Sequence, residues 1–179
     1  AQLDWLLKVA RLLHSPKTVL LGAYDANVQE SFKPVFDLEE RILTTFPLIH
    51  IYAAWGSKES QRYPDIQVES IHKSGSIPLI TWEPWLTDFD PALFPGGLRP
   101  RETRDKGGLS DVAKGVYDSY IRTWARAASK AQRPILLRLG HEMNDPYRYP
   151  WGPQNNKPEE FIEAWKHVFH IFEEENANN

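Results

Sequence analysis

The 179-residue sequence predicts an α/β fold of the (β/α)8 TIM-barrel type, with the chain covering roughly the first four βα units. Two observations lead to that class. Short, branched apolar runs alternate with stretches of helical spacing, and the first three runs start roughly 30 residues apart, the length of a strand with its crossover helix. A third observation orients the fold: each run ends at polar or aromatic residues, and in a parallel barrel the loops leaving the C-terminal strand ends gather at one end to build the site.

Leu3 to Leu13 is interrupted by Asp4, Lys8 and Arg11, a spacing that suits an amphipathic helix and neither a membrane span nor the apolar stretch of a signal peptide. Any targeting segment is expected to have been removed. Thr18 to Ala23 reads as the first strand, followed by a helix around Leu38 to Thr45, a strand at Leu48 to Trp55, a helix around Ile66 to Lys73 and a strand at Ile77 to Trp82. From Trp85 to Ser110 runs a connection rich in Pro and Gly that carries Arg99, Arg101, Arg104 and Lys106. Its length and its place after a strand end predict a binding loop. One helix is expected from Ser110 to Ala131, capped by Ser110 or Asp111.

Pro134 to Leu139 is short, branched and bounded by a proline, so it reads as a fourth, buried strand. A period of two puts Arg138, Gly140 and Glu142 on one face and turns Leu137 and Leu139 toward helices. The segment Asp145 to Lys157 leaves that strand with Tyr147, Tyr149 and Trp151, and Pro158-Glu159-Glu160 is a good first turn for a last helix reaching Glu175. Phe161, Ile162, Trp165, Val168, Phe169 and Phe172 form its apolar stripe, expected to pack as core. No internal repeat or low-complexity segment interrupts what reads as one partial domain over residues 1–179.

A net charge of −3 gives no basis for a phosphate backbone or an anionic membrane as partner. The absence of cysteine excludes disulfides and thiolate metal sites and leaves the compartment open. His141-Glu142 begins the zinc pattern H-E-x-x-H, but Asp145 stands where the second His belongs, and Lys73-Ser74-Gly75-Ser76 lacks the spacing of a serine-nucleophile elbow. No metal or other cofactor is expected. Seven Trp and seven Tyr, many beside turns and charges, suit the flat apolar faces of sugars.

The run His141-Glu142-Met143-Asn144, followed by Tyr147 and by Tyr149-Pro150-Trp151-Gly152, resembles glycoside hydrolase family 26, which contains β-mannanases and some β-glucanases and xylanases. Leu21-Gly22-Ala23-Tyr24 at the first strand, Ile80-Thr81-Trp82-Glu83-Pro84-Trp85 at the third, and the helix from Phe161 to Phe172 extend the likeness over nearly the whole chain. The resemblance implies a retaining endo-glycoside hydrolase, secreted or in the cell envelope, acting on β-linked polysaccharide. The substrate it implies is β-1,4-mannan first and mixed-linkage β-glucan second, and the role it implies for Glu142 is that of general acid/base. Where the family usually has Gly and then Trp after His-Glu-Met-Asn, this chain has Asp145, Pro146 and Tyr147. The family's nucleophile, a Glu near the end of the seventh strand, has no counterpart in these residues.

Retaining hydrolysis needs two carboxyl groups about 5–5.5 Å apart. Glu142 must hold a proton near neutral pH, which apolar neighbours such as Trp85 or Trp151 and a second ionised carboxylate would favour. His141 is expected to be neutral and to hydrogen bond to sugar or to the nucleophile. Arg138, pointing inward, needs a carboxylate partner: the nucleophile in a complete barrel, or Glu83 or Asp25 in this chain. The expected substrate-binding residues are His141, Trp85, Tyr147, Trp151, Glu83 and Tyr24. A carbohydrate-binding barrel without catalysis is the alternative. An eight-stranded barrel takes about 250 residues. Four strands therefore leave two edges unpaired, which favours self-association.

Overall fold

Four strands lie side by side in chain order in one parallel sheet in a computed structural model that describes residues 19–28, 30–91 and 98–178. They are β1 (Gly22–Ala23), β2 (Leu48–Ala54), β3 (Ile77–Glu83) and β4 (Leu136–Leu139). Five helices alternate with them: α1 (Lys33–Ile42), α2 (Asp65–Lys73), α3 (Gly108–Ala113), α4 (Asp118–Ala131) and α5 (Pro158–Glu174). The expected helix at Leu3 to Leu13 and the start of the first strand at Thr18 lie outside the described residues. No helix among the described residues is long and apolar enough to cross a membrane.

The sheet follows the alternation of the sequence. In β2, Ile49, Ile51 and Ala53 are buried toward the helices, while His50, Tyr52 and Ala54 are half-buried on the other face. In β3, Ile80 and Trp82 enter the same core. Registers Tyr52↔Thr81 and Thr81↔Arg138 line up three polar side chains across the inner face. Leu139 is buried and Leu137 half-buried against α5, as the period of two requires.

Four boundaries differ from the sequence reading by two residues or more. The fourth strand, expected to be buried from Pro134, begins at Leu136, and as the open edge of the sheet it leaves Leu136 and Arg138 exposed. The first strand shrinks to two residues, with Val19, Leu20 and Leu21 exposed. Helix α1 starts five residues earlier than expected, because Pro34 sits in its first turn where a missing N–H costs nothing, and it stops where Leu43 turns left-handed at φ 53°. The single helix expected from Ser110 to Ala131 is two. Gly115, at φ +84°, breaks it, and the Asp118 side chain lies 3.0 Å from where a Cβ on Gly115 would stand. Ser110 and Asp111 are therefore not caps. They lie inside α3, Ser110 donating back to the Gly107 carbonyl at 2.8 Å and Asp111 pairing with Arg99.

Two expectations about aromatic and apolar residues are corrected as well. Trp55, Trp82, Trp124 and Trp151 are all buried, so most of the described tryptophans are core and not sugar platforms. Trp82 stacks on Trp124 with ring centroids 4.4 Å apart, and the indole N–H of Trp124 donates to the Gln61 carbonyl at 2.6 Å, tying the loop after β2 to α4. In α5 only part of the apolar stripe is core. Ala164, Val168 and Ile171 are buried, with Phe161 and Phe172 packed beside them, whereas Ile162, Trp165 and Phe169 are about half exposed. The reason is geometric: those three stand roughly 100° or more round the helix from Ala164, off the stripe that packs into the core. Trp165 and Phe169 instead flank an apolar groove of about 280 Å³ against Leu137 and Leu139.

Trp82 is fully buried at the centre of an aromatic cluster, touching Trp55, Tyr120, Trp124 and Phe172. Trp82→Ala is expected to cost ~3–5 kcal/mol of stability, read as a lower urea midpoint; a loss below about 1 kcal/mol would show that the aromatic cluster is dispensable.

Candidate active site

How the chain leaves β4 decides where its functional residues fall. Gly140 still donates its N–H to the Trp82 carbonyl at 3.0 Å, and then turns at φ +57°. A Cβ there would meet Phe161 at 3.1 Å and Trp151 at 3.2 Å, so only glycine fits. Residues 141–144 form a turn closed by the Asp145 N–H on the Glu142 carbonyl at 2.9 Å. Glu142 itself has φ +46°, a left-handed conformation that costs a side-chain-bearing residue roughly 1 kcal/mol or more. Buried Trp151 braces this turn: its indole N–H donates to the His141 carbonyl at 2.7 Å, and its ring stacks on Tyr149 at 4.8 Å.

At the same strand ends as the half-exposed Glu142 stand two further acids, Glu83 and Asp145, with His141 and Arg148 as their partners. Glu83, at the end of β3, accepts from the Trp85 indole at 3.3 Å and lies 3.5 Å from Nδ1 of His141. His141 is buried, edge-on to Tyr149 at 4.5 Å and to Tyr52 at 5.6 Å. Asp145 accepts the backbone N–H groups of Tyr147 and Arg148 at 2.8 and 2.9 Å, and its other oxygen accepts from Nε of Arg148 at 2.7 Å. Those two backbone bonds first, and then Arg148, pull the Asp145 carboxyl down to about 2. The Arg148 guanidinium also reaches Glu142, 3.0 Å from its Oε2, and lies over the Tyr149 ring.

Further into the sheet, Arg138 donates to the Thr81 hydroxyl from Nε at 2.9 Å and from Nη2 at 2.6 Å. His50 shares that hydroxyl at 2.7 Å. Burial first, then the charge of Arg138, push His50 down to about 4, so its imidazole is neutral above that pH. The carboxylate partner expected for Arg138 is not found among the described residues: neither Glu83 nor Asp25 pairs with it. Because the inner face is open, Arg138 is exposed, and a hydroxyl with solvent suffices where a closed interior would demand an anion.

The six expected binding residues do not form one wall. Glu83, His141 and Trp85 do cluster, and Tyr24 starts a row of rings running through His50 and Tyr52 to His141. Tyr147 is 84% exposed, its ring free at the rim. Trp151 is corrected: at 2% exposure, between Tyr149 and Trp85, it offers no face to a ligand and acts as the brace behind the site. Sequence reasoning passed over His50, Tyr52, Tyr149 and Arg148. The period of two that placed Arg138 would have placed His50 and Tyr52 on the inner face of β2; Arg148 carried no signal beyond its spacing from Asp145. Together His50, Tyr52, Arg138, His141 and Glu142 line an open cavity of about 640 Å³, and Tyr52 and Glu83 also border a second of about 360 Å³ with Glu59, Arg62 and Gln67. In the loop after β3, Arg104 is buried on the Leu86 and Phe89 carbonyls and Arg101 pairs with Asp88, so these cations fasten the loop.

No family model matches the chain. Endoglucanase H of Acetivibrio thermocellus is 26% identical over 163 residues, which is 89% of this chain and 15% of that protein. Among solved structures, GH26A from a Muricauda species superposes with a TM-score of 0.64 at 19% identity, over 96% of this chain and 59% of that one. The mannanase man26 of Bacillus subtilis gives 0.54 at 18% identity, over 92% and 54%. These likenesses show the fold: the parallel sheet and its helices match part of the barrel of glycoside hydrolase family 26 structures. The chain spans a little over half of those structures and a far smaller share of its curated relative.

Two measurements check this geometry. A Cβ on Gly152 would lie 2.4 Å from the Asp145 carbonyl oxygen, so Gly152→Ala is expected to cost ~1–3 kcal/mol and to displace the loop; unchanged thermal stability would refute that close approach. Between pH 6.5 and about 4 the unfolded chain takes up a proton that folded His50 refuses, so stability present above that window is lost as pH falls through it. His50→Gln should flatten the decline of Tm over that window, and an unaltered slope would count against a buried neutral His50.

Proposed function

We propose that this chain is part of the catalytic barrel of a retaining, endo-acting glycoside hydrolase of the family 26 type, with β-linked polysaccharide as substrate and Glu142 as general acid/base. The observation that carries the reading is the placement of Glu142: a half-exposed carboxylate on a strained backbone at a parallel strand end, next to His141, which faces Glu83 and ends a row of aromatic rings. Strain of that kind persists where surrounding packing enforces it, and here Gly140 and Trp151 do so. In this reading protonated Glu142 gives its proton to the glycosidic oxygen as the bond to the anomeric carbon breaks, and a second carboxylate takes that carbon. Glu142 then removes a proton from the water that releases the sugar.

Glu83 is less suited to be that second carboxylate, being held by Trp85 and facing His141. Its position favours orienting His141 and bonding sugar hydroxyls, and the nucleophile is assigned to a part of the barrel beyond these 179 residues. Mannan is the first substrate choice, supported by a mannanase of similar fold, and the endoglucanase relative favours β-glucan as the second. A barrel that binds carbohydrate without cleaving it is the remaining alternative.

In the intact protein, Glu142→Gln should lower kcat/KM on polysaccharide by roughly 10²–10⁴-fold, while an aryl glycoside with a good leaving group is spared in the first step. Equal losses on both substrates would remove the acid role. The 179 residues alone are expected to release no reducing sugar from mannan or mixed-linkage β-glucan above a Glu142→Ala control, and to self-associate through the open edges of the sheet. Glu142-dependent turnover by this piece would make Glu83 the second carboxylate.

A further inference from the structure

We propose that Asp145 is a positioning residue that supplies the standing counter-charge to Arg148, so that Glu142 is free to take up and give away its proton. The inference rests on Glu142 being the general acid/base. Among the described residues, Arg148 has two carboxylate partners, Glu142 at 3.0 Å and Asp145 at 2.7 Å. They are not equivalent. Asp145 is fixed by two backbone N–H donors to one oxygen and by Nε of Arg148 to the other, and stays ionised at any working pH. Glu142 is half-exposed and has no backbone donor on its carboxylate among the described bonds.

An acid must spend part of each cycle neutral. If Glu142 were the sole anion beside Arg148, each protonation would strand a guanidinium without a partner, and the pair would hold Glu142 as a carboxylate. Asp145 removes that conflict because its bond to Arg148 does not depend on the state of Glu142. Other charged or titratable groups around this site are Tyr149, which feels the Glu142 charge, and His50, Tyr52, Arg138 and His141, which line the same cavity as Glu142, while Glu83 on β3 faces His141. Of these, the Tyr149 ring lies beneath the Arg148 guanidinium.

Asp145→Asn separates charge from structure, since the amide oxygen can still accept the N–H groups of Tyr147 and Arg148 while the negative charge is gone. In the intact protein, Asp145→Asn should lower kcat/KM on polysaccharide by roughly fivefold, a modest factor because the pair is solvent-screened. It should also move the alkaline limb of the profile to lower pH. Arg148→Met added to Asp145→Asn should restore both. A loss that the second substitution does not relieve would make Asp145 a structural turn residue and overturn the proposal, as would Asp145→Asn without effect. Glu142→Gln is the separate control: if it leaves kcat/KM unchanged, the acid assignment itself fails, whereas a large loss there with no rescue by Arg148→Met removes only the counter-charge.

Discussion

Everything at the candidate site depends on the turn by which the chain leaves β4. A strand continuing straight would carry residue 142 away from the sheet's end, and an ordinary helical turn would bury it. Two left-handed residues, Gly140 and Glu142, instead fold the backbone over the strand end, and the turn is held from behind by the indole N–H of Trp151 on the His141 carbonyl. The brace needs Gly152, whose Cα lies almost against the Asp145 carbonyl, so Trp151 and Asp145 are brought together by the same short segment. The aromatic residue that looked made for sugar thus does its work one layer back, fixing the residue that would touch the bond.

The two faces of the sheet divide the residue types accordingly. Toward the helices, Trp82 packs between Trp55 and Trp124, and the ring N–H groups of Trp82 and Trp124 donate to the Tyr120 hydroxyl and the Gln61 carbonyl, a dense layer from which the strand ends project. On the inner face the rings are Tyr and His, half-exposed and in a row, and the charged group among them, Arg138, is satisfied by a hydroxyl. Such a face presents rings and polar groups in the open without a dense apolar packing to displace, the property on which the proposed sugar binding rests.

Much of this was legible in the sequence, for reasons that are particular. The strands at Leu48, Ile77 and Leu136 announced themselves because a parallel sheet buried on its helix side needs branched residues at a period of two. The same count carried past Leu139 to Gly140 and Glu142 fails, because the strand ends at Leu139 and both residues turn left-handed. What could not be read depended on contacts between distant residues. Gly115 breaking the fourth helical stretch looks like any glycine in a long helix until Asp118 is seen filling the space beside it. The fate of Trp151 turned on Tyr149 and Trp85 enclosing it, and the expected anion for Arg138 assumed an interior that four strands do not close.

The departure from the family pattern after Asn144 acquires a physical meaning from this arrangement. Replacing a glycine by Asp145 gives the loop an acceptor that caps its own backbone at Tyr147 and Arg148, and the same cap directs the Arg148 side chain back across the turn toward Glu142. With Glu142 in the acid role proposed for it, a cation placed there without an anion would oppose its proton transfer. Asp145 and Arg148 therefore act as one unit: the aspartate stiffens the turn and neutralises the arginine that the turn itself brings to Glu142.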